Sequence, residues 1–338
     1  MIDLRTDSGP PPTPEMHSAV QNGSQEDGTT DGEASIEAVE QTVADMVGKA
    51  AGLFVPTGTM ANQVAVRAHT EPGQEVIVER QSHIYNREQG GLAEISHVQP
   101  RPVDGGEGGI PTPEQIHDAY FSEKVYQAET GLLALENTHN QRGGIAISPE
   151  RIEAAAKAAN ELDVPVHLDG ARIVHASDYH DCAVERFTEP MDSVYVDLAK
   201  LGAPAGAVLM GSASFVEQCR RERQLLGGHM AKTSFIGAPA MVALSDLSHI
   251  RTQHELAERL ADGLTGYEGL SVQEPQTNIV FVDPHELGWT ATDFLEACAS
   301  EGVLGKAFGN RAARFCVGRN VDRAMVDEAI DRIRRIGD

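Results

Sequence analysis

Short continuous apolar runs alternate with helical stretches through most of this chain, and that alternation limits the folds open to it. Between residues 51 and 211 the runs are AGLFVP, EVIVE, GLLALEN, VPVHLDG, SVYVDLA and GAVLMG. Helical text such as SPERIEAAAKAANEL separates them. Continuous rather than alternating apolar residues indicate strands buried on both faces, as in a sheet covered by helices. The sequence therefore predicts an α/β domain with a mostly parallel central sheet.

The pattern changes at both ends of the chain. The first thirty residues are rich in proline, glycine and acidic residues, and predict an irregular arm with one short helix after Pro14. Beyond about residue 240, helices such as HELAERLADGLT and DRAMVDEAIDRIRRI alternate with the strands NIVFVD and ARFCVG. We expect an amino-terminal arm at 1–30, a large α/β domain at 31–240 and a smaller α+β carboxyl-terminal domain at 241–338.

The acidic excess limits the possible partners. Fifty-one Asp and Glu residues against 27 Lys and Arg give a formal net charge of −24 over 338 residues. Such a surface repels phosphates and anionic lipid headgroups, so neither nucleic acid nor a membrane is an expected partner. It also repels itself unless salt screens the charge, so we expect a protein adapted to a high-salt cytoplasm.

The cysteines and the amino terminus indicate a reducing compartment. No CxxC pair is present, which predicts free thiols and no bound metal. MIDLRTDSG lacks the pattern of a signal peptide, and no run of about eighteen apolar residues occurs. We expect a soluble, cytoplasmic protein. The four cysteines are Cys182, Cys219, Cys298 and Cys316.

Two polar residues follow predicted strands of the sheet. Asp169 follows the strand of VPVHLDG, and Lys200, one of six lysines, follows the strand of SVYVDLA. Ligands of open α/β sheets bind at the carboxyl ends of strands, so we expect both residues in one crevice, together with Glu136. A helix-capping aspartate and a surface lysine are the alternatives. A carboxylate beside a lysine shielded from water is the pair that pyridoxal phosphate requires, for its ring nitrogen and its aldehyde.

Two further stretches suit the same cofactor. FVPTGTMANQ places Gly58 and Thr59 between a strand and a helix, where close backbone approach and the helix amino terminus favour a phosphate; a simple helix cap is the alternative. RQSHIYNREQGG places His83 on a predicted loop. An imidazole stacked on the cofactor ring could relay protons there, although a single histidine is also often structural.

Seven motifs carry a family resemblance. In chain order they are MIDLRTD, LFVPTGTMANQ, HIYNREQGG, LENTHNQRGG, VHLDGAR, KLGAP and LLGGHM. Together they resemble the low-specificity L-threonine aldolases, in the β-eliminating-lyase group of fold-type-I pyridoxal-phosphate enzymes. The resemblance implies the fold-type-I architecture, called PLP-dependent transferase-like, with pyridoxal 5'-phosphate as the cofactor. It also implies a homodimer or homotetramer with active sites at the subunit interface.

The resemblance also implies roles for individual residues. Lys200 would form the internal aldimine, Asp169 would pair with the pyridine nitrogen, and His83 would stack on the ring. Arg172 would contact the ring hydroxyl region and the substrate, and Arg314 in ARFCVG would bind the substrate carboxylate. Gly58 and Thr59 would hold the phosphate.

Departures from the family pattern cluster on the substrate side. Thr6 stands where the family has a substrate-contacting serine, and Tyr126 where it has a second histidine. The family's LSKGLGAP is LAKLGAP here, and its VYGEDP loop is TTDGEA, which loses a tyrosine. Ala231 replaces an arginine, with Lys232 beside it as a substitute. These changes spare the residues expected to hold the cofactor.

The expected reaction is aldol cleavage. The resemblance implies cleavage of the Cα–Cβ bond of a β-hydroxy-α-amino acid, L-threonine or L-allo-threonine, to glycine and acetaldehyde, through the Lys200 aldimine and a quinonoid. His83 is the candidate base, and Tyr126 a poorer one because a phenol loses its proton far above neutral pH. The alternatives are β-elimination, racemisation or amino transfer on another amino acid, or a relative that binds the cofactor without turnover.

Overall fold

The chain forms two compact units. The computed structural model describes residues 1–8, 10–23, 34–122 and 125–337. The large unit is Pro12–Arg142 with Ala146–Ser245, and the small unit is Met1–Pro11, Gly143–Ile145 and Asp246–Asp338. The division predicted from the sequence, at residues 30 and 240, stays a prediction.

The helices and strands follow one another in the order that the apolar runs indicate. The strands are β1 (Ile2–Asp3), β2 (Ala51–Val55), β3 (Glu75–Glu79), β4 (Gln99–Val103), β5 (Thr130–Glu136), β6 (Val166–Asp169), β7 (Ser193–Asp197), β8 (Ala207–Gly211), β9 (Ser271–Val272), β10 (Ile279–Asp283), β11 (Val303–Leu304), β12 (Lys306–Phe308) and β13 (Ala312–Cys316). The α-helices are α1 (Pro14–Gly23), α2 (Ala34–Met46), α3 (Gly58–His69), α4 (His83–Asn86), α5 (Gly91–Glu94), α6 (Pro113–Ala119), α7 (Pro149–Asn160), α8 (Ile173–His180), α9 (Glu185–Thr188), α10 (Ala213–Leu225), α11 (Ser234–Leu244), α12 (His249–Leu264), α13 (Ala291–Ser300) and α14 (Arg323–Arg334).

A seven-stranded sheet forms the centre of the large unit, in the order β2-β8-β7-β6-β5-β3-β4. The five strands from β7 to β4 run parallel, and β8 runs antiparallel to both β7 and β2. Every residue of β3, β5, β6 and β8 is buried, which is why their sequences are continuous rather than alternating. The predicted mostly parallel α/β sheet is confirmed.

Strand β4 is the one member of this sheet that the apolar runs did not predict. Its sequence, QPRPV, contains two prolines, and its residues are only partly buried or exposed. A proline lacks the N–H that a central strand needs, so it is tolerated at a sheet edge. Because β4 pairs with β3 alone, it is such an edge.

Helix α3 places the residues after β2 against the sheet. It begins at Gly58, because the Thr57 side chain accepts a hydrogen bond from Met60 N at 3.1 Å and caps the helix. Val64 and Ala65 of α3 pack in one apolar cluster with Leu209 of β8. This packing fixes the amino-terminal turn of α3 at the carboxyl end of β2.

The small unit has its own antiparallel sheet, in the order β12-β13-β10-β9. Its core includes Leu260 of α12, Phe294 of α13 and Ile330 of α14. The first residues of the chain join this unit, since β1 pairs in parallel with β11 and Leu4 is fully buried. Among the described helices of both units, none is long and apolar enough to cross a membrane.

Candidate active site

Asp169 is the last residue of β6, and its carboxylate is buried, with 4% of the residue exposed. One carboxylate oxygen, Oδ1, accepts a hydrogen bond from Ala171 N at 3.1 Å. The other, Oδ2, accepts one from Asn62 Nδ2 at 3.0 Å. The Tyr195 side chain also hydrogen-bonds to Asp169, and burial raises the pKa of that phenol well above its ordinary value, so the hydroxyl is the donor. The carboxylate is therefore held in one orientation.

Lys200 lies in the turn after β7, and its side chain is 15% exposed. The amine pairs with the carboxylate of Asp197, the last residue of β7. In the sheet, Asp169 stands opposite Tyr195 of β7, so the end of β6 at Asp169 lies beside the last residues of β7, which the turn with Lys200 follows. The carboxylate partner of the lysine is a feature that the sequence reasoning missed.

Gly58 begins α3 in a space too small for a side chain. A Cβ atom added at Gly58 would lie 2.8 Å from Oη of Tyr195, closer than real contacts allow. The twelve-residue helix places its positive amino-terminal end at this glycine. A glycine at a helix amino terminus is the arrangement in which backbone N–H groups come close to a phosphate.

His83 begins the short helix α4 and is linked to two buried carboxylates. Its backbone N–H donates to Glu136 Oε2 at 2.6 Å, and its Nδ1 lies 2.9 Å from Glu88 Oε1. Burial alone would lower the pKa of His83, but the Glu88 hydrogen bond and the charges of Asp169 and Glu136 outweigh it and raise that pKa. The imidazole side chain is one third exposed, so it remains accessible.

Glu136, the last residue of β5, is linked by two hydrogen bonds through Asn140 to Arg172, which follows β6. Its Oε1 accepts a hydrogen bond from Asn140 N at 3.0 Å, and burial raises the pKa of this carboxyl. The side chain of Asn140 in turn accepts a hydrogen bond from Arg172 Nη1 at 3.4 Å. Arg172, only 5% exposed, is therefore held beside the end of β6.

Asn62 of α3 connects the histidine to the aspartate. Its amide donates to Glu88 Oε1 at 2.7 Å as well as to Asp169. The ligand-type atoms of His83, Glu88 and Asp169 lie within 4.8 Å of one another, and these hydrogen bonds already engage them. The prediction that the protein holds no metal stays a prediction.

Two residues predicted to bind substrate belong to the small unit. Arg314 of β13 is 5% exposed, donates from Nη2 to the Arg5 carbonyl at 2.8 Å, and stacks 4.4 Å above the Phe308 ring. Thr6 is exposed, and its hydroxyl accepts a hydrogen bond from Ser8 N at 3.1 Å. Their predicted contacts with the substrate stay predictions.

Three other sequence features also stay predictions. The Tyr126 side chain is 95% exposed. Lys232 is exposed and has a φ of 55°, in the left-handed region, beside the exposed Ala231. The TTDGEA segment, residues 29–34, lies outside the described part of the chain, apart from the backbone of its last residue, Ala34.

The residues of the large unit fit pyridoxal phosphate. Lys200 offers the amine for the aldehyde, and Asp169 a buried, oriented carboxylate for a cationic ring nitrogen. Gly58 packs closely against Tyr195 without a side chain, and the backbone N–H groups of the first turn of α3 suit a phosphate at this helix terminus. The sequence predicted these three groups, each at the end of a strand or the start of a helix.

Comparison with known proteins gives the family. The sequence model described as "Beta-eliminating lyase" matches residues 3–287. The chain belongs to this family. It is a pyridoxal-phosphate-dependent lyase, as the fit of Lys200 and Asp169 to that cofactor indicates.

Named relatives agree with the family. A protein of Arabidopsis thaliana described as low-specificity L-threonine aldolase 1 is 37% identical over 83% of this chain and 81% of its own length. The low specificity L-threonine aldolase of Escherichia coli K12 is 32% identical over 83% of this chain and 84% of its own length. The structure of Leishmania major threonine aldolase shares the fold, with a TM-score of 0.82 at 17% identity over 99% of each chain.

Sequence reasoning missed four residues of this lyase site. Asn62, Glu88 and Tyr195 contact Asp169 or its neighbours, and Asp197 contacts Lys200. Glu88 lies inside the motif HIYNREQGG and Asn62 inside LFVPTGTMANQ, so both had a signal in the sequence. A buried amide on the core face of a helix is itself a signal, because it requires polar partners.

Proposed function

We propose that this lyase cleaves the Cα–Cβ bond of a β-hydroxy-α-amino acid, L-threonine or L-allo-threonine, to give glycine and acetaldehyde. The observation that carries the proposal is the grouping of His83, Glu88 and Asp169 within 4.8 Å. The nearness of His83, the candidate base, to Asp169, the carboxylate expected to pair with the cofactor ring, supports this reaction. The similarity to relatives described as L-threonine aldolases supports the substrate class.

Lys200 and Asp169 have the cofactor-related roles. Pyridoxal phosphate, when bound, supplies an electron sink for the electron pair of the broken Cα–Cβ bond. The Lys200 amine would hold the cofactor by its aldehyde, and the Asp169 carboxylate would hold a proton on the ring nitrogen. Gly58 and Thr59 would hold the phosphate at the first turn of α3, with Lys232 as a further cation, and Arg172 would lie at the ring hydroxyl side.

His83 acts as the base in this proposal. Glu88 accepts the hydrogen of His83 Nδ1, which leaves Nε2 free to take a proton. Nε2 removes the proton of the β-hydroxyl, the C–O bond becomes the carbonyl of the departing aldehyde, and Cα later receives a proton to give glycine. Because the imidazole is one third exposed, substrate and product can reach it.

The substrate carboxylate needs a cationic partner. Arg314 has that role in the proposal, as the family resemblance implies, with Thr6 and Arg172 as further substrate contacts. Arg314 is already ordered by its hydrogen bond to the Arg5 carbonyl and by the Phe308 ring. An ordered guanidinium loses little conformational entropy when it binds a carboxylate.

We also propose a homodimer or homotetramer with its active sites at the subunit interface, in a high-salt cytoplasm. The family resemblance supports the assembly, and the acidic sequence with four free cysteines supports the location. Analytical ultracentrifugation in molar KCl tests the assembly. A sedimenting species of one chain at micromolar concentration contradicts it.

A substrate panel tests the reaction. The holoenzyme in molar KCl is given L-threonine, L-allo-threonine, a bulkier β-hydroxy amino acid, L-serine and L-alanine, and glycine, aldehyde, keto acid and D-amino acid are measured. Glycine with an equal amount of aldehyde is expected, and the His83→Asn variant is expected to lose it while keeping the cofactor. Keto acid or D-amino acid without glycine favours β-elimination, amino transfer or racemisation instead. The bound cofactor with no product at all contradicts the lyase proposal.

A further inference from the structure

A second set of buried hydrogen bonds starts at Oδ1 of Asn62, the residue whose amide nitrogen contacts Asp169. Asn62 Oδ1 lies 3.0 Å from His167 Nε2, and His167 Nδ1 lies 2.8 Å from Ser193 Oγ. The same hydroxyl lies 2.8 Å from His69 Nε2. Asn62, His167 and Ser193 have no exposed surface. These four side chains have no part in the chemistry proposed above.

The two carboxylates determine where every hydrogen of this set lies. Both hydrogens of the Asn62 amide are used, one toward Glu88 and one toward Asp169, so Oδ1 of Asn62 can only accept. His167 Nε2 must therefore carry a hydrogen, which leaves Nδ1 bare and able only to accept from Ser193. The Ser193 oxygen is then free to accept from His69 Nε2.

His167 and His69 are both neutral near neutral pH, as this arrangement of hydrogens requires. Burial, together with the nearby His69, lowers the pKa of His167 to about 3. Burial lowers the pKa of His69 to about 4. A neutral imidazole has one donor and one acceptor nitrogen, so His167 can bridge Asn62 and Ser193 only with its hydrogen on Nε2.

The strand geometry fixes His167 in this place. His167 and Asp169 are two residues apart on β6, so their side chains point to the same face of the sheet. Ser193 stands opposite His167 on the neighbouring strand β7. His167 therefore lies on the same face of the sheet as Asp169, two residues before it on β6.

We propose that His167 is a positioning residue for the cofactor-binding carboxylate. By donating to Asn62 Oδ1 it holds the amide in the single orientation that presents both hydrogens to Glu88 and Asp169. A turned amide would place its oxygen against a carboxylate, which is repulsive. His167 thus keeps Asp169 and the His83–Glu88 pair in one geometry without touching the cofactor. The inference rests on the proposed role of Asp169.

Two substitutions separate the contacts of His167. In His167→Gln the amide nitrogen of the glutamine takes the position of the ring Nε2, so it still donates to Asn62 Oδ1. The asparagine side chain of His167→Asn is shorter and takes only the position of the ring Nδ1. That variant therefore keeps the hydrogen bond with Ser193 and loses the one with Asn62. Both remove the same imidazole, so they are a matched pair. His254→Asn, which removes a buried histidine of the small unit, is the control.

The readouts are the dissociation constant of pyridoxal phosphate, measured by titrating the apoprotein, and the pH dependence of the visible absorbance of the bound cofactor. The loss of one orienting hydrogen bond predicts a dissociation constant about tenfold higher in His167→Asn, with a shifted absorbance titration. His167→Gln is expected within about threefold of the wild type, with the wild-type titration. A purely structural histidine would change the thermal midpoint of the apoprotein but neither readout.

Equal dissociation constants and titrations for the Gln and Asn variants overturn the inference. If His167→Asn does not fold, His167→Leu decides in its place. That variant fills the same buried space without a donor toward Asn62 Oδ1, so a weaker cofactor affinity is expected and an unchanged one overturns the inference. Lys200→Ala and Asp169→Ala are measured alongside. If these two leave the absorbance unchanged, the proposed function fails; if they alter it and His167→Asn does not, only the positioning role fails.

Discussion

The Lys200 amine is paired with the carboxylate of Asp197, three residues before it at the end of β7. Both side chains are largely shielded from water, at 15% and 14% exposure. The carboxylate is itself fixed, because its other oxygen accepts the Ala199 N–H at 3.0 Å. An incoming aldehyde therefore meets an amine that must first leave a charged partner.

The Asp197→Asn substitution is expected to speed the capture of pyridoxal phosphate by the apoprotein. Removing the charge weakens the pairing, and a barrier lower by about 1.4 kcal/mol corresponds to a rate about tenfold higher. Stopped-flow absorbance measures that rate. Asp197→Glu keeps the charge and serves as the control, with a rate near that of the wild type. A rate in Asp197→Asn that is equal to the wild type, or slower, contradicts the importance of this pair.

The Gly58→Ala substitution is expected to weaken cofactor binding. Its methyl group would lie 2.8 Å from Tyr195 Oη, so the start of α3 or the tyrosine must shift. Overpacking of this size costs about 1–3 kcal/mol, which predicts a cofactor dissociation constant at least about fivefold higher. Equilibrium titration of the apoprotein measures it. An unchanged constant would mean that the amino end of α3 at Gly58 is not the phosphate site.

The pH dependence of turnover reports on His83. Its pKa is raised above the ordinary 6.5, chiefly because the Glu88 hydrogen bond and nearby carboxylate charges outweigh burial. A raised pKa keeps the imidazole protonated to higher pH, so the base form, and with it kcat/KM, appears only as pH rises through that value. Glu88→Gln removes one of the charges and is expected to move this acid limb to lower pH. A limb that does not move excludes His83 as the titrating base.

The apolar runs predicted most of the fold because burial leaves a direct mark on sequence. Strands β2, β3 and β5 to β8 were predicted, whereas the edge strand β4 was not, since its two prolines resemble a loop. Asp169 and Lys200 were predicted because polar residues after buried strands are conspicuous. The contacts of Asn62 were not, because its partners Glu88 and Asp169 lie 26 and 107 residues away, and periodicity carries no information about such distances.

Salt is expected to stabilise the protein. The formal net charge of −24 repels itself, and raising the salt from about 0.1 M to 1 M shortens the screening length from about 10 Å to about 3 Å. We expect the thermal midpoint to rise by at least about 5 °C over that range of KCl. A neutral osmolyte of the same osmolality, which does not screen charge, is the control. A midpoint that does not rise with KCl refutes the proposed adaptation to salt.

The most direct test of the central claim is to find which lysine holds the cofactor. The coloured holoenzyme is reduced with borohydride, digested and mapped by mass spectrometry, with Lys200→Ala treated in parallel. We predict that the cofactor mass is on the peptide that contains Lys200 and on none of the other five lysines, and that Lys200→Ala has no covalent label. A label on another lysine, or a wild-type protein that stays colourless with pyridoxal phosphate, would contradict the account.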